Sequence, residues 1–248
     1  MSPVRLQRHT FLWGLVACGA VVVSICAMML YRAYRQGCLE HQVVAELLSK
    51  SPQGEARVGS PPSLSVWYNW VCEVFGIPKP IVYLTLTGPQ INDGDLAQLT
   101  VLRHLENLTI DSCPITDDGV RKIAQLRTVR YLIFAGPVNI TDASFNYLGT
   151  MRSLETLAIC DFPPKITGRN VEKLRDLPNL AVLDLACCLK VSDQAIEGLT
   201  QLKQLKNLDI RCTSISEPGV RRLERGLPNT IILSDHPFPE GADSLTEP

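Results

Sequence analysis

The sequence predicts an α/β solenoid of about seven strand-turn-helix units, with a parallel sheet on its concave side, behind an N-terminal transmembrane helix. Three observations lead there. A leucine anchor recurs at 24- to 26-residue intervals, a polar turn-and-cap element follows every anchor but the last, and a 21-residue stretch near the N-terminus carries no charge.

The uncharged stretch runs from Phe11 to Tyr31, bracketed by Arg5 and Arg8 on one side and by Arg32 and Arg35 on the other. As a helix it reaches about 30 Å, the thickness of a bilayer's hydrocarbon core. A globular helix that is apolar all round leaves no face for solvent. Two rival readings stay open. One is a cleaved export signal, whose apolar region runs about 7 to 15 residues. The other is a lipoprotein or exported binding protein, because Leu15-Val16-Ala17-Cys18 resembles a lipobox, although apolar residues continue past Cys18. Flanking charges nearly balance, with a slight bias toward a cytoplasmic N-terminus and an extracytoplasmic solenoid.

The chain divides into a short flank over 1–10, the span over 11–31, an amphipathic helix and Pro/Gly/Ser-containing tether over 32–63, an N-terminal cap over 64–80, repeats over 81–233 and a disordered acidic tail over 234–248. In the amphipathic helix Leu39, Val43, Leu47 and Leu48 share one face. The tether, Ser51 to Ser63, is punctuated by Pro and Gly. Trp67, Trp70, Val71, Val74 and Phe75 recur at helical spacing and are assigned to closing the open end of the stack, since terminal repeats must be covered. The tail combines acids and prolines with little apolar material.

The anchors are Leu84, Leu108, Leu132, Leu157, Leu183, Leu208 and Leu233. Around each, apolar and polar residues alternate, the period of a strand with one buried face. The cap elements that follow are Asn92-Asp93, Thr116-Asp117, Thr141-Asp142, Thr167-Gly168, Ser192-Asp193 and Ser216-Glu217, each preceded by Ile or Val. A short polar side chain there accepts a backbone N–H at a helix start, and the neighbouring acid suits the positive end of the helix dipole. Apolar residues then recur at about 3.5 positions, as at Val120, Ile123 and Leu126, giving a short amphipathic helix.

The frame of Leu105, Leu108, Ile110 and Cys113, repeated at Leu180, Leu183, Leu185 and Cys188, resembles leucine-rich repeats. The recurring Ile-Thr-Asp before a helix is similar to their cysteine-containing subclass. A span, an amphipathic stretch and a Trp-rich entry segment ahead of the repeats resemble membrane-anchored leucine-rich repeat proteins of planctomycete-type bacteria. The likeness covers roughly residues 65 to 233 and implies a fold with a protein or peptide ligand. It also admits a substrate-recognition, F-box-like adaptor of a ubiquitin ligase, although the stretch where an F-box bundle would stand holds the span and tether.

Composition narrows the chemistry. The net charge of −1 leaves no basic excess for phosphates, so no nucleic-acid partner is expected. His9, His41, His104 and His236 show no metal spacing, Cys187 and Cys188 are adjacent, and no Cys-x-x-Cys occurs. No phosphate-binding glycine loop or nucleophile elbow is present. The expectation is a non-enzyme with no catalytic, cofactor-binding or metal residue, no cofactor and no small-molecule substrate.

What remains is surface. In each strand the residues beside the buried positions line the concave face. Tyr131, Ile133, Ala135, Ala158, Cys160 and Val182 form one apolar patch there, bordered by Asp111, Asp184, Asp209 and Arg211. An apolar patch rimmed by polar groups marks a protein contact. The expected function is a membrane-anchored, single-pass interaction scaffold.

Overall fold

The computed structural model of the protein describes residues 3–51, 53–58, 66–136, 138–160 and 165–235, with side chains described from Val22 onward except at positions 58 and 66–69. The predicted tail lies outside these beyond residue 235.

One helix, α1 (Pro3–Lys50), runs for 48 residues, so the segments read as span and amphipathic helix are continuous. Residues 11–21 of the predicted span lie outside the described side chains. Among the described residues no helix is long and apolar enough to cross a membrane. In its C-terminal half Glu40, Val44 and Leu47 are buried and Val43 and Leu48 pack partly buried against the core, so of the predicted face only Leu39 is exposed. Burial of Glu40 is satisfied by hydrogen bonds from Gln36 Nε2 at 3.0 Å and from Ile81 N at 3.5 Å.

The helix lies along the first parallel strand, β2 (Ile81–Thr87), and bonds to both its ends. Glu40 holds Ile81, while Ser51 Oγ donates to Thr87 O at 2.9 Å and accepts from Thr87 N at 2.6 Å. The predicted tether holds a further strand, β1 (Glu55–Val58), antiparallel to β2 with Arg57 opposite Tyr83. Charged Glu55 and Arg57 on this edge strand discourage further pairing. The segment predicted as the cap forms α2 (Val66–Phe75), which buries Cys72, yet Trp70, Val74 and Phe75 are exposed. Helix α1 and strand β1 cover the first parallel strand. The physical reason is that β2 needs both an apolar cover and partners for its edge backbone groups, and those two elements supply one each.

Seven parallel strands follow one another in order: β2, β3 (Asn107–Asp111), β4 (Tyr131–Ala135), β5 (Thr156–Ile159), β6 (Val182–Asp184), β7 (Asn207–Asp209) and β8 (Ile231–Leu233). Leu84, Leu108, Leu132, Leu157, Leu183 and Leu208 stand in one row of the ladder and are fully buried. The seventh anchor differs. Ile232, not Leu233, pairs with Leu208 and is 5% exposed, whereas Leu233 is 43% exposed. A slip of one residue moves a strand's side chains to the opposite face.

Helices on the far side are short: α3 (Asp93–Leu96), α4 (Asp117–Ile123), α5 (Ser144–Leu148), α6 (Ile196–Leu199) and α7 (Glu217–Gly226). Residues Val171–Leu174 make only a 3₁₀ turn, so a full helix in every unit was too generous an expectation. Capping follows the expected chemistry at Asn92, Thr116 and Ser216, whose side chains accept from Gly94, Asp118 and Gly219 N. The aspartates beside the caps do more than meet a helix dipole: Asp93, Asp142 and Asp193 each accept from both the backbone N and the hydroxyl of the next unit's cap, Thr116, Thr167 and Ser216. At the end of the strands the chain turns through a left-handed residue, Gly88, Ser112, Gly136, Cys187 or Cys212, whose φ lies between 53° and 108°.

Candidate functional site

Alternation along the strands and the parallel register assemble the concave face row by row. Asn107, Tyr131, Thr156, Val182 and Asn207 form one row. Thr109, Ile133, Ala158, Asp184 and Asp209 form the next. Asp111 pairs with Ala135 in the third, where Cys160 and Arg211 continue the sequence spacing. The predicted apolar residues are therefore neighbours: Ile133 stands beside Ala158, which stands beside Asp184.

Their exposure is lower than a flat surface patch implies. Tyr131, Ile133, Ala135, Cys160 and Val182 are half-buried, and Ala158 is 7% exposed because its methyl lies between the longer Ile133 and Asp184. The floor is thus a shallow apolar trough. Cys160 Sγ contacts Phe134 O at 3.7 Å, so this thiol is tied to the preceding strand.

The polar border is internally bonded. Asp111 accepts from Ser112 Oγ at 2.9 Å and Asp184 from Ala186 N at 2.8 Å. Arg211 forms a two-point contact with Asp209, Nη2 lying 2.5 Å from Oδ2 and Nε 3.0 Å from Oδ1. Burial pushes the Asp209 carboxyl up, but the bonds from Arg211 outweigh that and hold it below the ordinary carboxylate range. Both charges are thereby oriented on the face.

An arginine outside the predicted set organises the upstream side. Arg130 Nη2 lies 2.7 Å from Glu155 Oε1, its Nη1 lies 3.9 Å from Glu106, and its guanidinium sits 5.7 Å from the Tyr131 ring centre. Glu155 also accepts from Tyr131 OH at 3.4 Å. Arg130 and Glu155 precede their strands, and strand alternation gave no reason to expect them beside Tyr131. Further missed are Ile231 and Leu233, exposed on the same face on the last described strand because of the register of β8. The signal for these was the bare alternation Ile231-Ile232-Leu233, which either register satisfies.

Among the described residues no group of three or more His, Cys, Asp or Glu side chains could hold a metal ion. Two of the buried cysteines serve the turns: Cys113 Sγ donates to Asp111 O at 3.2 Å and Cys188 Sγ to Ile159 O at 3.0 Å. Burial pushes the Cys113 thiol up to about 11 and raises that of Cys188 as well, which keeps both protonated and unreactive.

The repeat length, the ladder of buried leucines and the parallel register are those of a leucine-rich repeat fold. No family model matches the chain. Among solved structures, the chain is similar to an internalin (inlF) from Listeria monocytogenes str. 4b F2365, with 19% sequence identity and a TM-score of 0.32. That match covers 56% of this chain and 51% of the internalin chain, so this protein spans about half the length of that one.

Proposed function

We propose that the chain is a non-enzymatic, membrane-anchored interaction scaffold of the cysteine-containing leucine-rich repeat class, binding a protein or peptide on its concave face with the solenoid on the extracytoplasmic side. The observation that supports binding is the contiguity of Tyr131, Ile133, Ala158 and Val182 across three neighbouring strands, inside a border of oriented charges. An apolar centre with a polar rim is the anatomy of a protein contact, and ligands on such a face lose few side-chain rotamers to ordering because its residues are already held. Support for the anchor comes from the uncharged stretch and from Val22, Val23, Ile25 and Met29, apolar side chains that stand exposed on α1.

The test is proximity capture from intact membranes with the wild type and with Tyr131→Glu plus Ile133→Lys, each checked for an unchanged thermal midpoint. Loss of specific partners from the variant is expected. Recovery of the same partners by both would remove the concave assignment. Accessibility of a cysteine engineered at Ser244 to an impermeant reagent reports the side, and labelling only after lysis would place the solenoid in the cytoplasm.

A further inference from the structure

The two edges of the solenoid carry opposite charge. Where strands end and helices begin stand Asp93, Asp117, Asp118, Asp142 and Asp193. Where helices end and strands begin, the residue after buried Leu102, Leu126 and Met151 is Arg103, Arg127 and Arg152. All three arginines are exposed, and none makes an ion pair with a described residue. Acids nearby are already engaged, Glu106 and Glu155 by Arg130 and Asp176 by Arg175.

We propose that this arginine edge docks on an anionic bilayer surface, an inference that rests on the membrane-anchored reading above and not on the side assigned to the solenoid. Its basis is where α1 leaves the solenoid. Lys50 at the helix C-terminus bonds Asp95 on the acidic edge, 2.6 Å away, while Gln36 Nε2 donates to Val101 O, 2.7 Å away, two residues before Arg103. Toward its N-terminus the helix therefore emerges at the arginine edge, where Arg32, Arg35 and Arg103 line one cleft. Tyr31, the last residue of the uncharged stretch, is only about 8 Å further along the axis from Gln36. Headgroups at that end of the stretch would meet Arg32, Arg35 and Arg103 together.

Away from α1 the row continues through Arg127 and Arg152, which flank a second cleft floored by Leu126 and Met151, before Pro178 interrupts it. Past Pro178 the row resumes at exposed Lys203, which follows buried Leu202. A second feature stands beside α1. Helix α2 leads through Pro78, which lies against Gly37 of α1, into the start of β2, and its Trp70, Val74 and Phe75 are exposed. Aromatic side chains favour the headgroup layer, and the acidic opposite edge is repelled by it, so both effects select the same orientation.

The experiment uses the full chain reconstituted into vesicles of phosphatidylcholine, with and without phosphatidylserine. A fluorescent amino acid replaces exposed Gln125 on the arginine edge, or exposed Pro114 on the acidic edge as the control, and energy transfer to a headgroup-labelled lipid is read. Docking predicts stronger transfer from position 125 in the acidic vesicles, abolished at 1 M salt where the Debye length is about 3 Å. Each basic residue at an acidic surface is worth about fivefold in partitioning, so Arg103→Gln, Arg127→Gln and Arg152→Gln together should shift the docked-to-free ratio roughly a hundredfold. Equal transfer in both lipids, or a triple variant indistinguishable from wild type, overturns the proposal. Alkaline carbonate extraction separates the two readings. A chain that resists extraction but ignores lipid charge keeps its anchor and loses the edge. A chain that is extracted yet still sediments with acidic vesicles in a salt-sensitive, arginine-dependent manner loses the span and keeps the edge.

Discussion

Asp117 at the start of one repeat's helix accepts two hydrogen bonds from Thr141 of the next, from its backbone N at 2.8 Å and its Oγ1 at 2.7 Å. Ser144 Oγ adds a third. The recurring Thr-Asp pair is therefore one half of a clamp between units, in which each acid fixes its successor's helix cap. The break in the series falls at Gly168, where no carboxylate is available for Ser192.

Asp117→Ala should therefore destabilise the solenoid by about 2 to 3 kcal/mol, because it leaves the bonds of a buried Ser144 hydroxyl and a half-buried Thr141 unmade. Asp118→Ala, which removes surface ion pairs with Arg121 and Lys122, should cost less than about 1 kcal/mol. Urea unfolding of both variants measures the difference, and equal losses would refute the clamp.

Restoring the motif at its break should fail. Gly168 has φ of +82°, and a Cβ there would sit 2.5 Å from the Ala195 Cβ. Gly168→Asp completes the Thr-Asp repeat on paper, yet it combines a strained backbone with a clash and should cost about 2 kcal/mol or more. A higher thermal midpoint for Gly168→Asp than for wild type would show that the missing acid outweighs the geometry.

Acid should loosen the clamp at Asp193. The hydroxyl and backbone bonds from Ser216 hold the Asp193 carboxyl below its ordinary range. A group depressed on folding stabilises the protein above its unfolded pKa of about 4, and the contribution is lost as pH falls through the folded value. Stability should accordingly be flat near neutrality and decline below about pH 4. Asp193→Asn should make that acid limb shallower, and an unchanged pH profile would count against the linkage.

Cysteine chemistry should divide by burial. Cys38 and Cys212 are exposed, while Cys113 and Cys188 are buried with raised thiol pKa values. Alkylation at neutral pH followed by mass spectrometry should modify the first pair rapidly and the second only on unfolding. Comparable rates for all four would contradict the turn role of the buried pair.

The register of β8 is testable by truncation. Ile232→Ala should cost about 2 kcal/mol as a buried position, whereas Leu233→Ala should stay within about 0.5 kcal/mol. The reverse ranking would restore the seventh leucine as an anchor.

Much of the fold was legible because leucine spacing and strand alternation are local properties. Each strand from β2 to β7 lies where its anchor leucine placed it, and the concave rows follow from alternation alone. At β8 the same reasoning missed by one residue, since Ile231, Ile232 and Leu233 are all apolar and only pairing with Leu208 distinguishes them. The candidate patch was legible in membership but not in exposure: Ala158 is covered by neighbours 25 and 26 residues away, Ile133 and Asp184.

By itself the sequence determined the repeat, its period, the capping residues and the uncharged N-terminal stretch, each of which is encoded within a window of a few turns or strands. Tertiary structure alone decided that α1 and β1 cover the first repeat, that the cap acids clamp successive units, and that α1 leaves beside the arginine edge. Those outcomes depend on which surfaces meet across tens to hundreds of residues, where hydrogen bonds and burial are shared between segments and no local pattern distinguishes one partner from another.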